Sequence, residues 1–284
     1  MSETPSQVLS ASLESGDTEN GKILSDDYLY RFGGISRLYG MPALKKFSIS
    51  HVAVIGVGGV GSWAAEALAR SGIGYISLFD LDDICVSNVN RQIHALDSTI
   101  GKMKIEAMAQ RLKDINPEVL VGAEHTFITS KNLEKYISRE FDYVFDATDS
   151  VPAKTALIAY CSRNKINLIC SGSAGGQIDP TQIQIADLNK TIQDPLLAKV
   201  RNNLRRLHGF SRNPKRKYRI DCVFSTEQLR YQQADGSVCQ QKPNNSGPVK
   251  LDCASGFGSI THLTGSFAFI AVSQILKKLA FSAE

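Results

Sequence analysis

The sequence predicts an α/β fold: a mostly parallel sheet with helices on both faces. Three observations lead there. Short apolar, β-branched runs alternate with helix-patterned stretches from residue 51 onward. A glycine cluster follows the first of those runs directly. Two later runs end on Asp80 and Asp146, at the strand ends where such sheets bind ligands.

The elements follow in order. His51–Val57 reads as a buried strand ending in glycines, and Gly59–Ser71 carries Val60, Trp63, Ala64, Ala67 and Leu68 at helical spacing. Tyr75–Asp80 is the next strand, and a polar loop runs from it to Gly101. Met103–Ile115 has Ile105, Met108, Ala109 and Leu112 on one helical face, closed by Pro117. Glu118–Phe127, Phe141–Asp146 and Ile166–Ser171 are further strands. The main domain is therefore taken as 28–187. Beyond it, 188–250 reads as a basic excursion beside the sheet, with strand-like runs at Asp221–Ser225 and Gln228–Gln232. The segment 251–284 reads as a C-terminal helix packing back on the main domain.

Composition narrows the class. The chain has 284 residues, 43% hydrophobic and 21% charged, enough for one large domain. Its six cysteines show no metal-ligand spacing, which points to reduced thiols in a cytoplasmic compartment and against a disulfide framework or zinc site. Residues 1–27 hold six acids and one lysine with no apolar run, and read as a disordered acidic tail. Phe257–Leu279 is apolar and long enough to span a bilayer. A helix buried in an α/β core has the same composition, and we adopt that reading. Lys199–Arg219 holds nine Lys/Arg and no acid, while the rest of the chain carries 23 bases against 28 acids. The basic character is local.

Gly56-Val57-Gly58-Gly59-Val60-Gly61 fits G-x-G-x-x-G between a strand and a helix. Gly56, Gly58, Gly59 and Gly61 would let the backbone turn tightly and approach a phosphate. That phosphate would rest on free N–H groups carrying about half a positive charge. Asp80 is placed to accept from a ribose. Strand, loop, helix and acid in this order indicate a nucleotide site, with NAD, FAD or ATP open. The residues downstream select ATP. Ser87-Asn88-Val89-Asn90-Arg91-Gln92 follows the acid, Lys104 opens the next helix, and Asp146-Ala147-Thr148-Asp149-Ser150 ends a strand. Cleavage between the α- and β-phosphates develops charge on oxygens that Arg91 and Lys104 can stabilise. Asp149 suits Mg²⁺, a hard cation that prefers oxygen. Taken singly, Arg91 and Lys104 are compatible with solvated surface charges, and Asp149 with an N-cap for the helix near Pro152.

With the glycine loop, Asp80-Leu81-Asp82, Ser87-Asn88-x-x-Arg91-Gln92, Gly101-x-x-Lys104 and Thr148-Asp149, the sequence resembles the ubiquitin-activating-enzyme-like family from about Tyr30 to Ser171. The resemblance implies ATP·Mg²⁺ binding and an acyl-adenylate formed with release of pyrophosphate. It places Asp80 on the ribose, Asn88, Arg91 and Lys104 on the phosphates, and Asp149 at the metal and reacting centre. Asp82, Asn90 and Gln92 fall within the same nucleotide-binding motifs. Three departures stand out: no paired CxxC, Thr148-Asp149-Ser150 in place of Thr-Asp-Asn, and Arg31-Phe32-Gly33-Gly34-Ile35-Ser36-Arg37 in place of Arg-Tyr-Asn-Arg. Either Arg31 or Arg37 is the candidate to reach a partner subunit's ATP, since the resemblance implies a homodimer.

Together with Ser171-Gly172-Ser173-Ala174-Gly175-Gly176 and Asp252-Cys253-Ala254-Ser255-Gly256-Phe257-Gly258, these departures resemble the tRNA threonylcarbamoyladenosine dehydratases. That resemblance implies adenylation of the threonylcarbamoyl carboxylate beside the anticodon, ring closure with loss of AMP, and a possible sulfur-transfer protein as partner. Cys253 is open to two readings, a thioester nucleophile of lowered pKa or a small buried residue, and the second is adopted. The basic stretch is the expected tRNA contact, through Arg201, Arg205, Arg206, Arg212, Lys215, Arg216, Lys217 and Arg219. His208, Phe210 and Tyr218 among them are candidates to stack on unpaired bases. Two other functions stay open: adenylation of a small carrier protein's C-terminus, and a non-catalytic or NAD-dependent protein of the same fold.

Overall fold

The computed structural model describes residues 23–233, 235–241 and 257–281. Two helices precede the first strand. Helix α1 (Asp26–Tyr39) begins at Ser25, whose side chain accepts from Tyr28 N at 3.0 Å, with Asp26 and Asp27 opposing the positive end of the helix dipole. Residues 26 and 27 thus belong to a helix rather than to the acidic tail. Gly40, at φ +87°, turns the chain into α2 (Met41–Ile49).

The alternation expected from residue 51 is present. β1 (His51–Ile55) leads into α3 (Gly59–Arg70), then β2 (Tyr75–Asp80), α4 (Lys104–Ile115), β3 (Leu120–His125) and the short α5 (Leu133–Tyr136). β4 (Tyr143–Asp146), α6 (Val151–Asn164) and β5 (Leu168–Ser171) follow. Next come β6 (Ile183–Asp187), α7 (Pro195–Leu207), β7 (Asp221–Ser225), a small hairpin of β8 (Tyr231–Gln232) and β9 (Val238–Cys239), and finally α8 (Thr261–Phe281).

The main sheet has seven strands in the order β3-β2-β1-β4-β5-β7-β6, parallel except for the antiparallel β6–β7 pair. This corrects the division at residue 188. β7 lies inside the sheet, paired with β5 on one side and β6 on the other, so this part of 188–250 is a strand of the sheet and not an excursion beside it. Cys222, Val223 and Phe224 of β7 are buried, and that burial draws the strand in.

Strand side chains alternate between two cores. Val52, Val54, Ile76 and Leu78 face the layer of α3, α4 and α8, whereas Ala53, Ile55 and Val144 face that of α6 and α7. In α8, Leu263, Phe267, Ala271 and Ile275 repeat every four residues on one stripe, each 0% exposed. Each of the larger ones contributes about 1.5–3 kcal/mol by burial. By length and composition α8 can also span a bilayer, and half of its most apolar window is buried within the fold.

Candidate active site

The sheet order reverses between β1 and β4, because the chain runs outward from β1 through β2 to β3 and then returns to β4. Loops leaving β1 and β4 diverge there and open a crevice at the strand ends. A cavity of about 740 Å³ occupies that place. Gly56, Gly58, Gly59, Asp80, Asp82, Asn90, Arg91, Gln92, Lys104 and Asp149 all line it.

The floor is the N-terminus of α3. Its N-cap is Gly58, with no side-chain cap and no acid in the first turn, so the leading N–H groups are left for a ligand. Gly56 has φ +86°, a backbone conformation that strains any residue with a Cβ. Gly61 does not line the cavity. A Cβ there would overlap Gly56 O, so this glycine lets helix and strand close together.

Asp80 is 5% exposed and ties the loops together. Its Oδ2 accepts from Val57 N at 2.7 Å, and its Oδ1 from Leu81 N and Asp82 N at 2.9 Å. Asn88 is buried and its Oδ1 accepts from Cys85 N at 3.0 Å, so it shapes the turn beneath Arg91. The Asn90 amide donates to Ser259 O at 2.9 Å, and its Oδ1 accepts from Arg91 Nη1 at 2.9 Å. Arg91 Nη1 also donates to Ser87 O at 2.7 Å. Trp63 Nε1 donates to Arg91 O at 3.0 Å, and Thr264 Oγ1 to the same oxygen at 3.3 Å. Arg91 is thus held from α3, α8 and its own loop.

Lys104, 7% exposed, pairs with Asp82 at 2.7 Å, and the Asp82 side chain is 55% exposed. The pair is thus open to solvent on its carboxylate side. Behind this pair lie His94, whose two ring nitrogens have no partner among the described residues, and Gln92, whose buried Oε1 likewise has none. Burial, with Lys104 and Arg111 adding to it, pulls the His94 pKa down to about 4.

Asp149 is exposed at the opposite wall. It does not cap α6; the Ser150 side chain does, accepting from Ala153 N. The turn carrying Asp149 rests on a buried pair. Lys154 Nζ lies 2.8 Å from Asp146 Oδ1, both side chains 0% exposed, and Thr148 Oγ1 donates to the same oxygen at 2.8 Å. An apolar wall is formed by Phe79, Phe127 and Ile128. From the far side come Ser173, Gly175 and Phe257. Asp194, its pKa raised by burial, fixes that loop by accepting from Ser173 N at 2.8 Å. Sequence reasoning missed Trp63, Thr264 and Asp194, none of which carries a motif.

The remaining candidates lie apart. Arg31 pairs with Asp27 at 2.7 Å and Arg37 is exposed, and neither lines this cavity. Cys253 lies outside the described residues. The basic stretch divides. Arg201 Nη1 donates to Leu188 O and Thr191 Oγ1, and Arg205 donates to the Tyr218 hydroxyl at 2.9 Å and Asn189 Oδ1 at 2.8 Å. These two side chains therefore clasp the fold as well as belonging to the basic stretch. Tyr218 is 8% exposed and meets Phe210 edge-on, so it is not displayed for stacking. Arg206, Arg212, Lys215, Arg216, Lys217 and Arg219 are exposed.

A parallel sheet reversing over a glycine-started helix, with Arg, Lys and Asp around one cavity, defines a nucleotide-binding protein equipped to act on phosphates. The chain belongs to the ThiF family, which it matches over residues 34–282. It is 56% identical over 257 residues to the tRNA threonylcarbamoyladenosine dehydratase of Escherichia coli (strain K12), covering 90% of this chain and 96% of that protein. The enzyme of that name in Haemophilus influenzae is 55% identical, over 89% and 95% of the two chains. The crystal structure of the E. coli enzyme in complex with ATP superposes with a TM-score of 0.81 at 51% identity, over 92% of this chain and 98% of that one.

Proposed function

We propose that this protein dehydrates N6-threonylcarbamoyladenosine in tRNA, using ATP to activate the carboxylate. One observation carries the reading: Arg91, Lys104 and Asp149 converge on a single cavity over the uncapped N-terminus of α3. The kinship with dehydratases of that name supplies the substrate.

The phosphates rest on the N–H groups that open α3, the ribose lies toward Asp80, and Phe79, Phe127 and Ile128 offer the base an apolar wall. The threonylcarbamoyl carboxylate attacks the α-phosphorus as the bond to the β-phosphate oxygen breaks. Arg91 and Lys104 stabilise the charge gathering on the phosphate oxygens. Pyrophosphate leaves, and the carboxyl is now an acyl-adenylate. The carbamoyl oxygen then attacks the activated carbonyl carbon, the carbamoyl N–H gives up its proton, and AMP departs with the lost oxygen. Ring closure is intramolecular, so proximity supplies much of its rate.

Asp149 fits Mg²⁺ as an exposed oxygen ligand that the triphosphate can complete; among the described residues no cluster of three or more metal-binding side chains exists. When bound there, the ion would neutralise phosphate charge. The exposed cations between Arg206 and Arg219 take the tRNA backbone, while Arg201 and Arg205 hold their platform. We further propose a homodimer in which Arg31 or Arg37 of α1 reaches the other subunit's ATP. A sulfur-transfer protein is a candidate partner, and a cytoplasmic setting suits free thiols.

The test is mass spectrometry of nucleosides from threonylcarbamoyl-modified tRNA incubated with enzyme and Mg²⁺, with and without ATP. ATP-dependent loss of one water, with AMP appearing, is expected. AMP formed only when a small carrier protein with a Gly-Gly tail is supplied would replace the reading by carrier adenylation.

A further inference from the structure

A second cavity of about 360 Å³ lies beside the ATP cavity. Asp194, Ala198 and Arg201 line it from α7, and Gln228 and Tyr231 from across. The two cavities share their partition. Asp194 lines the second cavity and bonds Ser173 of the first, and Leu196 belongs to the first. The Tyr231 ring stands 5.3 Å from that of Phe257, which lines the ATP cavity.

The other end of the same helix leads to the basic loop. Four residues past Arg201, Arg205 grips Asn189, and the Asn189 amide in turn donates to Asn213 O and Arg216 O at 2.9 and 2.7 Å. At 1.5 Å per residue, α7 spans about 14 Å from Leu196 to Arg205. The second cavity is thus linked through α7 to the loop of exposed cations and through Asp194 to the ATP cavity.

We propose that this second cavity is a subsite for an unpaired nucleobase of the same RNA, close in sequence to the modified adenosine. This rests on the function proposed above. Gln193, Gln228 and Gln240 line the cavity with exposed amides, each holding both donors and an acceptor, which is the chemistry of a base edge. Tyr231 supplies an aromatic surface and Arg201 a half-buried cation, the usual platform for an unstacked base. The volume lies within the range of small-molecule pockets.

The experiment uses the full-length enzyme with modified anticodon stem–loop RNAs, intact or carrying one abasic nucleotide at successive positions flanking the modified adenosine. One abasic position should weaken binding to the wild-type enzyme about tenfold. Ala198→Trp, which fills the cavity, should lose a similar factor with intact RNA and nothing further with that abasic RNA. ATP protection against thermal unfolding should stay as in wild type, which also reports that the variant folds. Gln228→Ala, at an exposed position, should give a smaller loss with the same pattern. Equal abasic penalties in wild type and both variants, or no penalty at any position, would overturn the subsite while leaving the dehydration reaction standing. Failure of the wild-type enzyme to dehydrate the intact RNA would overturn the function and the subsite together.

Discussion

Two lysine–aspartate pairs of nearly equal length serve opposite ends. Lys104 meets Asp82 at 2.7 Å and Lys154 meets Asp146 at 2.8 Å. Asp82 is 55% exposed, so water and ligands compete for its partner; Asp146 and Lys154 are both wholly enclosed. Burial alone favours the neutral amine, yet the Asp146 carboxylate holds the Lys154 pKa above its ordinary value. On the function proposed above, the open pair holds a place for phosphate, whereas the closed one is a rivet under the Thr148-Asp149 turn. Bond length alone does not tell them apart. Exposure does.

Removing the buried ammonium should have the largest effect. Lys154→Met leaves Asp146 uncompensated and should destabilise the fold by about 3–5 kcal/mol, read by chemical denaturation. Lys104→Ala should cost less stability than Lys154→Met but slow adenylation by about 10²–10³-fold in single-turnover assays. If both variants lost mainly stability, Lys104 would be a rivet too. Asp149→Ala should likewise abolish turnover with the fold intact, since no described partner depends on its side chain.

His94, behind Lys104, sharpens the contrast through pH. Its folded pKa of about 4 lies below the unfolded value near 6.5. The unfolded chain therefore binds the extra proton first, and stability present above pH 6.5 is lost as pH falls toward 4. His94→Leu should flatten that acid limb in thermal melts taken across the range. His51 is shifted the same way, so part of the limb should survive. The smallest effect is expected at Asp82. Asp82→Asn should change stability by less than about 1 kcal/mol while tightening ATP binding slightly, measured by calorimetry, because Lys104 loses its competing anion.

Much of the fold was legible because it is written in local pattern. β1, β2, β4 and β5 are largely apolar runs of limited length, and β2 was placed to the residue. The glycine loop, Arg91, Lys104 and Asp149 carry chemistry in their spacing and do meet. Other features depend on partners distant in sequence. β6 is only partly buried and is defined by pairing with β7, more than thirty residues away, so its own pattern gives little away. Gly33 and Gly34 interrupt the helical signal of α1, which tertiary packing of Tyr28 and Phe32 restores. Arg201 and Arg205 look like any exposed cations until Thr191, Asn189 and Tyr218 come around them.

The placement of β7 has one more consequence. The stretch holding the exposed cations leaves the sheet at β6 and re-enters it at the adjoining strand, so its two ends are pinned side by side. Closing a loop on fixed ends costs only about 0.6 kcal/mol more for each doubling of its length. Descendants of this chain can therefore lengthen, shorten or recharge the outer part of that segment at little thermodynamic penalty. On the tRNA contact proposed above, choice of nucleic acid can drift there while the machinery that activates a carboxylate stays as it is.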